Sequence, residues 1–350
     1  FMNNIKNFIT SLFNYEDKNY EFDLNRNPLE NNNEDLQDNL QPLEDISEKI
    51  YNSLSVNLEY VKVKYNALIN SDIKIREFNL TARNKQYSAF LLYIDGLVDS
   101  DSINHFILDP LMLKNRANTF DGSEEVVSTA ISNNISVKRI KKFDLSDYIY
   151  TTLIPQNDVI KLDSFEDVFQ DVNMGSCALF VDTLNIAFVS DIKKFEKRSV
   201  SSSQNETVIR GSQEAFIESL RTNTSLVRRM VNNENLIIES TTVGTISRTK
   251  CAICYINNLT NVDLVSEVKY RINNLSIDYL ISSGQLEQLI KDKPNSSLPQ
   301  MIATERPDRA ATYLLEGRVL VILNGSPYTL VMPATFFDFM SSIADTNLDY

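Results

Sequence analysis

The chain has 350 residues, 43% of them hydrophobic, enough for two ordinary domains with packed cores. Its formal net charge of −13 excludes the basic face of a nucleic-acid binder and the polybasic patch of a lipid-adhering protein. Three cysteines make no disulfide framework and point to a reducing compartment, and no apolar run approaches the roughly 18 residues of a membrane span.

Phe1 stands before Met2 and reads as an addition ahead of the native start. Met2–Tyr15 carries a single cation, Lys6, and no small-residue cleavage site, so no secretory signal is expected and the chain reads as soluble. Ile5, Phe8, Ile9, Leu12 and Phe13 fall at helical spacing. They predict an amphipathic helix that docks on its own protein or a neighbour, because a membrane-surface helix would carry more Lys and Arg. Residues 14–45 are acidic and Asn-rich, too poor in apolar side chains to offset the entropy of ordering, and read as a flexible linker. From Ile46 a helical pattern runs through Ile50, Leu54, Leu58, Val61, Tyr65 and Leu68.

The next stretches repeat. Asn57–Leu97 reads as helix, turn and β-rich segment ending Tyr93-Ile94-Asp95-Gly96-Leu97, and Asn223–Leu259 reads the same way, ending Tyr255-Ile256-Asn257-Asn258-Leu259. Each leads into a helix-like segment, Ser102–Leu113 and Asp263–Asn273. Gly175–Asp182 then aligns without a gap on Gly317–Asn324, and each continues into a second apolar strand, Ile186–Val189 and Tyr328–Met332. Asn324-Gly325 predicts a type I′ hairpin turn, while Thr183 stands where the first copy would want the glycine. The expected fold is therefore α/β: two related subdomains, each a mixed sheet flanked by helices, behind a flexible N-terminal segment. The boundaries expected are 1–42 for the N-terminal helix and acidic linker, 43–198 and 207–340 for the subdomains, and 341–350 for a tail. The polar stretch 199–206 joins the two subdomains.

Catalytic signatures are missing. The single histidine, His105, lies in an amphipathic helical pattern and reads as structural. Neither a dinucleotide-binding nor a phosphate-loop glycine motif occurs, and eight glycines leave little to build one. Cys251 and Cys254 are spaced as C-x-x-C, but on a predicted strand that spacing points them to opposite faces, so they read as small core residues. No enzymatic activity, cofactor or metal is expected.

Two segments carry a more individual pattern. Ile209–Met230 predicts a helical stretch with Phe216, Ile217, Leu220, Val227 and Met230 buried and Glu214, Glu218, Asn223, Arg228 and Arg229 around them. Thr304–Pro327 contains Glu305-Arg306-Pro307-Asp308-Arg309, with Pro307 suited to the first helical turn and Asp308 to the helix dipole. Gly317 then suits the left-handed position after the helix. Arg306, ahead of that helix, is expected to have its guanidinium free for a carboxylate on another surface. Glu214, Asn223, Arg228, Arg229, Glu305, Arg306, Asp308 and Arg309 are the candidate ligand or interface contacts. The aromatic run Phe336, Phe337, Phe339 and Met340 is expected to pack on the second subdomain rather than remain in water.

The segments Arg210–Glu218, Thr304–Asp308, Leu314–Val319 and Asn324–Pro327, with Tyr93–Leu97, resemble the N-terminal region of the A subunits of spore nutrient germinant receptors, the GerA family. The resemblance covers about residues 43–350. It implies a full-length protein integral to a membrane, with its helical bundle following this region, and a place in the spore inner membrane with this region facing the core. It implies receptor B and C subunits as partners and supplies no catalytic residues. On that basis the expected role is a non-enzymatic, cytosolic signalling and assembly module that triggers germination. The alternative is direct binding of a nutrient small molecule in the crevice between the subdomains.

Overall fold

The computed structural model describes residues 48–82, 85–112, 144–194, 206, 212–292 and 299–339. The apolar runs form two five-stranded sheets. The first contains β1 (Ile73–Ala82), β2 (Lys85–Ile94), β3 (Val159–Leu162), β4 (Ser176–Val181) and β5 (Ala187–Asp191), in the order β1-β2-β4-β5-β3. The second contains β6 (Leu236–Val243), β7 (Thr249–Ile256), β8 (Ile302–Thr304), β9 (Val319–Leu323) and β10 (Thr329–Met332), in the order β6-β7-β9-β10-β8. The two orders are the same, and the α/β architecture of two related subdomains is the one expected. One detail differs: every strand pairing is antiparallel, where mixed sheets were expected. Hairpins supply two of the pairings in each sheet, and the helical crossovers return each chain against its neighbour's direction.

The helices are α1 (Leu54–Lys64), α4 (Phe165–Asn173), α5 (Leu220–Met230), α6 (Val262–Asn273), α7 (Ser283–Ile290) and α8 (Pro307–Leu315). Between α1 and α4, α2 runs Ser100–Ser102, π-helical Ile103–Leu108 and Asp109–Met112, and α3 runs Leu145–Tyr148 into π-helical Ile149–Leu153. Alternate residues of each strand feed opposite cores. In the first subdomain Phe90, Leu92 and Phe180 pack against α1 and α4, while Leu91, Leu179 and Phe188 face α2 and α3. In the second, Ala252, Leu320 and Ile322 face α5 and α8, and Ile253, Val321 and Leu323 face α6 and α7. Each subdomain is thus a sheet between two helical layers, which is why β4 and β9 are buried along their whole length.

Local features shift from the sequence expectation where side chains compete with periodicity. α1 begins at Leu54 rather than Ile46, since Ile50 N–H already donates to Asp163 O (2.9 Å) in an extended pairing, and Leu68 is 96% exposed. The helix expected over 209–230 starts only at Leu220, where the Ser219 hydroxyl accepts from Thr222 N–H, although Phe216 is buried as expected. The expectations for residues 2–13, 14–45 and 340–350 lie outside the described residues. Cys251 and Cys254 point into the two opposite cores, and burial pushes the Cys251 thiol up to about 12 and the Cys254 thiol above its usual value.

The repeat extends to hydrogen bonds. Asn57 folds back on Tyr51, accepting from its N–H (3.0 Å) and donating to its C=O (2.7 Å). Asn223 does the same to Ile217, at 2.8 and 2.5 Å. Leu54 N–H donates to Asp182 Oδ1 at 3.3 Å, and Leu220 N–H to Asn324 Oδ1 at 3.2 Å. Gly175 and Gly317 both hold positive φ, +98° and +82°, after α4 and α8. A Cβ added at either would meet Leu97 O or Leu259 O at 3.1 Å, so both positions require glycine.

The turn after β9 is not the expected type I′. Only Gly325 has positive φ (+87°), and Ser326 N–H returns to Leu323 O (3.3 Å), as in a type II turn. Thr183 adopts the same left-handed conformation (φ +71°) with its N–H held by Asn52 O at 3.0 Å, so the hairpin forms there without glycine.

Asn57→Ala and Asn223→Ala each strand a half-buried backbone N–H and C=O. Each should cost about 2–4 kcal/mol in urea unfolding, with similar values for the two positions.

Candidate functional site at the junction of the subdomains

The first subdomain meets the second where Asn70-Ser71-Asp72, just ahead of β1, lies along the edge of β6. Ser71 N–H and Oγ both donate to Ile238 O (2.9 and 2.7 Å), and Ser240 Oγ donates to Ser71 Oγ (2.9 Å). Asn70 uses its whole amide: Nδ2 donates to Tyr65 O (3.2 Å) and Leu236 O (3.0 Å), and Oδ1 accepts from Ile238 N–H (3.0 Å).

Into this contact α5 inserts Arg228, whose side chain is fully buried. Nε and Nη2 fork onto the Asp72 carboxylate at 3.0 and 2.9 Å. Nη2 also reaches Asn70 Oδ1 (3.3 Å), and Nη1 donates to Asn233 O (3.2 Å) and Leu236 O (2.9 Å). All five donors of the guanidinium are therefore used. Burial pushes the Asp72 carboxyl above its usual range, and the Arg228 charge and hydrogen bonds act against that rise. Toward solvent, Arg221 pairs with Asp95 and Lys64 with Glu234 (3.1 Å). Two small cavities flank the contact. One of about 270 Å³ is lined by Leu97, Asn173, Met174, Lys193, Arg229 and Asn232, and one of about 170 Å³ includes Asp99, Asp101, Lys194 and Arg221.

Of the eight candidate residues, Arg228 alone spans the junction. Arg229, also on α5, pairs with Glu214 and borders the larger cavity, while Asn223 holds the chain ahead of α5 in place. The other four gather at the start of α8. Glu305 Oε1 accepts from Glu206 N–H (2.9 Å), and Glu206 in turn accepts from Arg309 Nη1 (2.8 Å) and Thr304 Oγ1 (2.8 Å). Arg306 departs from expectation: it is 2% exposed and turned onto Asp308 two residues later, with Nη1 buried and unpartnered, so it presents no free guanidinium to another surface. Asp72, Asn70 and Glu206 carry no signal in the sequence. Each is a polar residue outside any periodic stripe, and only the fold reveals its partner.

A sequence model described as the Bacillus/Clostridium GerA spore germination protein matches residues 59–350. The chain belongs to the GerA family. It is 31% identical over 293 residues to spore germination protein KA of Bacillus subtilis, covering 84% of this chain and 49% of that protein. It is 32% identical over 275 residues to the uncharacterized membrane protein YfkQ of Bacillus subtilis, covering 79% and 48%. The crystal structure of the N-terminal domain of the A subunit of the Bacillus megaterium spore germinant receptor GerK3 superposes with a TM-score of 0.57. It is 30% identical and covers 83% of this chain and 98% of that domain. This chain thus spans about half the length of the curated relatives it matches.

Where the GerA chain continues past β10, the expected packing of the aromatic run does not occur. Phe336, Phe337 and Phe339 are 60%, 79% and 43% exposed, and Met340 lies outside the described residues. A charge anchors this turn instead: Arg318 Nη1 and Nη2 donate to the Asp338 carboxylate at 2.7 and 3.1 Å, and Thr335 N–H and Oγ1 add bonds of 2.6 and 2.7 Å. Hence removing this segment should not cost the several kcal/mol that three buried phenylalanines would contribute. Burial works to raise the Asp338 carboxyl, but the hydrogen bonds from Arg318 and Thr335 outweigh it and hold the carboxyl below its usual value.

Two outcomes are expected. Arg228→Met leaves Asp72 buried without a partner and should cost about 3–5 kcal/mol in urea unfolding, much of it recovered in the double variant Arg228→Met/Asp72→Leu. Because the folded Asp338 carboxyl sits below its unfolded value near 3.9, its anchoring persists above that pH and is lost as pH falls through the folded value. Fluorine NMR of fluorophenylalanine at 336–339 should therefore sharpen only below about pH 4.

Proposed function

We propose that this chain is the non-enzymatic signalling and assembly region of a germinant receptor A subunit, which carries nutrient detection toward spore germination. It works with the receptor's B and C subunits. The complete protein sits in the spore inner membrane, with this region on the core side. Membership of the GerA family supports the receptor assignment, as does the likeness to spore germination protein KA and to the N-terminal domain of the GerK3 A subunit. The Arg228–Asp72 junction carries the signalling role. A relay between two bodies needs a contact whose making and breaking has distinct energies, and a fully bonded buried ion pair joined to a sheet edge meets that need.

A second reading has a specific observation behind it. The cavity of about 270 Å³ between Lys193 and Arg229 is near the lower end of small-ligand sites and carries cationic side chains on both banks. A carboxylate-bearing nutrient suits it chemically.

The relay reading is tested at the solvent-facing edge of the junction, where folding is least at risk. Arg221→Ser removes an exposed pair worth about 0–1 kcal/mol, so the A subunit should stay at normal abundance in spores. The nutrient concentration for half-maximal germination should nevertheless shift. An unchanged dose response for Arg221→Ser and for Asp95→Asn would sink the relay. The nutrient reading predicts that an amino-acid or sugar panel raises the melting temperature of the purified chain, with the rise lost in Arg229→Gln.

A further inference from the structure

Tyr313 of α8 stands between two guanidinium groups. Arg309 donates from Nε to its hydroxyl (3.0 Å) and lies 5.5 Å from the ring centroid, while Arg318 lies over the same ring at 4.5 Å. Each arginine ends on a carboxylate. Arg309 Nη1 donates to Glu206 Oε1 (2.8 Å), and Arg318 forks onto Asp338 at 2.7 and 3.1 Å. The five side chains form one unbroken line along α8: carboxylate, guanidinium, phenol, guanidinium, carboxylate. At one end, the chain arriving from the first subdomain reaches the second; at the other is the turn through which it leaves β10.

Two observations separate this line from ordinary surface pairing. None of the four charged side chains is more than 13% exposed and Tyr313 is buried, so salt screens these charges only weakly. The first subdomain also does without it: Asp167, Asp171 and Ser176 hold the positions of Arg309, Tyr313 and Arg318. A sheet and helix of the same design stand there, so packing alone does not require the line. Arg318, moreover, has two claimants. Its Nη2 reaches Glu316 Oε2 at 2.8 Å and Asp338 Oδ1 at 3.1 Å. The Glu316 side chain is 47% exposed and that of Asp338 10%, so a guanidinium that loses its hold on Asp338 turns outward to Glu316 and frees the turn. A coupling path needs an element with two discrete arrangements, and Arg318 supplies one.

We propose that the line Glu206–Arg309–Tyr313–Arg318–Asp338 is a coupling element, through which a displacement of the chain at its entry to the second subdomain loosens the Phe336–Phe339 turn at its exit. The inference rests on the junction relay proposed above and carries its signal through the second subdomain to the segment that follows β10.

Amide exchange at Thr335 reads the far end. Its N–H donates to Asp338 Oδ2 (2.6 Å) in an exposed turn, which opens locally whatever the global stability. Glu206→Gln should speed that exchange at least about twofold, the lower bound for residues of one bonded network. Arg309→Lys should act in the same direction, and it stands in if Glu206→Gln does not fold. In a Tyr313→Leu background neither substitution should change the rate further, whereas Tyr313→Phe, which keeps the ring under Arg318, should preserve part of the effect. Glu316→Gln removes the rival claimant and should slow the exchange. Val321, in the middle of β9, reports global unfolding alongside. A Thr335 rate that ignores both Glu206 and Arg309 overturns the proposal. So does one that responds equally with Tyr313 present and absent, or one that does not fall in Glu316→Gln. The measurement uses the purified chain and no nutrient, so its failure is distinct from an unchanged germination dose response, which would sink the junction relay.

Discussion

Arg228 is the constraint on which the arrangement of this chain depends. A guanidinium taken wholly out of water is tolerated only when its donors are all met, and here they are met by both subdomains together. Two of its acceptors, Asp72 and Asn70, belong to the first subdomain, and two backbone carbonyls, at Asn233 and Leu236, belong to the second. Neither half alone satisfies it. The junction is therefore a fixed register: shifting the first subdomain along β6 would strand a charge, two carbonyls and an amide at once. Burial also raises the Asp72 carboxyl, so the pair is held closed at the expense of desolvating an acid.

Around this point the duplicated framework is conservative in its backbone and divergent in its surfaces. The asparagine clamps ahead of α1 and α5, the glycines after α4 and α8, and the strand order are all repeated. Side chains differ between the copies, with Lys62 at the α1 position that corresponds to Arg228. α5 carries the deep ion pair, whereas Lys62 reaches Glu77 at 3.9 Å on the surface.

Much of the scaffold is legible in the sequence because it rests on short-range rules. The period-2 apolar runs mark the strands, Pro307 and Gly317 bracket α8, and the shared Tyr-Ile-Asp/Asn and Gly-led strands expose the duplication. The sheet directions are not legible, because apolar runs buried on both faces read alike in parallel and antiparallel sheets. The site is legible only in part. Arg228 stands out as a cation on a helix, but Asp72 and Glu206 are single polar residues whose partners lie far away in sequence. The expectation of a free Arg306 fails because Asp308, well placed for the helix dipole, captures the guanidinium instead. Bulk hydrophobicity points the aromatic run after β10 inward, while one carboxylate, Asp338, decides where that turn sits.

Glu206 has a consequence for how the chain enters the second subdomain. It is buried against Glu305, Thr304 and Arg309, so the second subdomain grips the chain well before α5 begins. The entry of the chain and the first turn of α8 therefore hang on one buried carboxylate, and a change at either is felt by both.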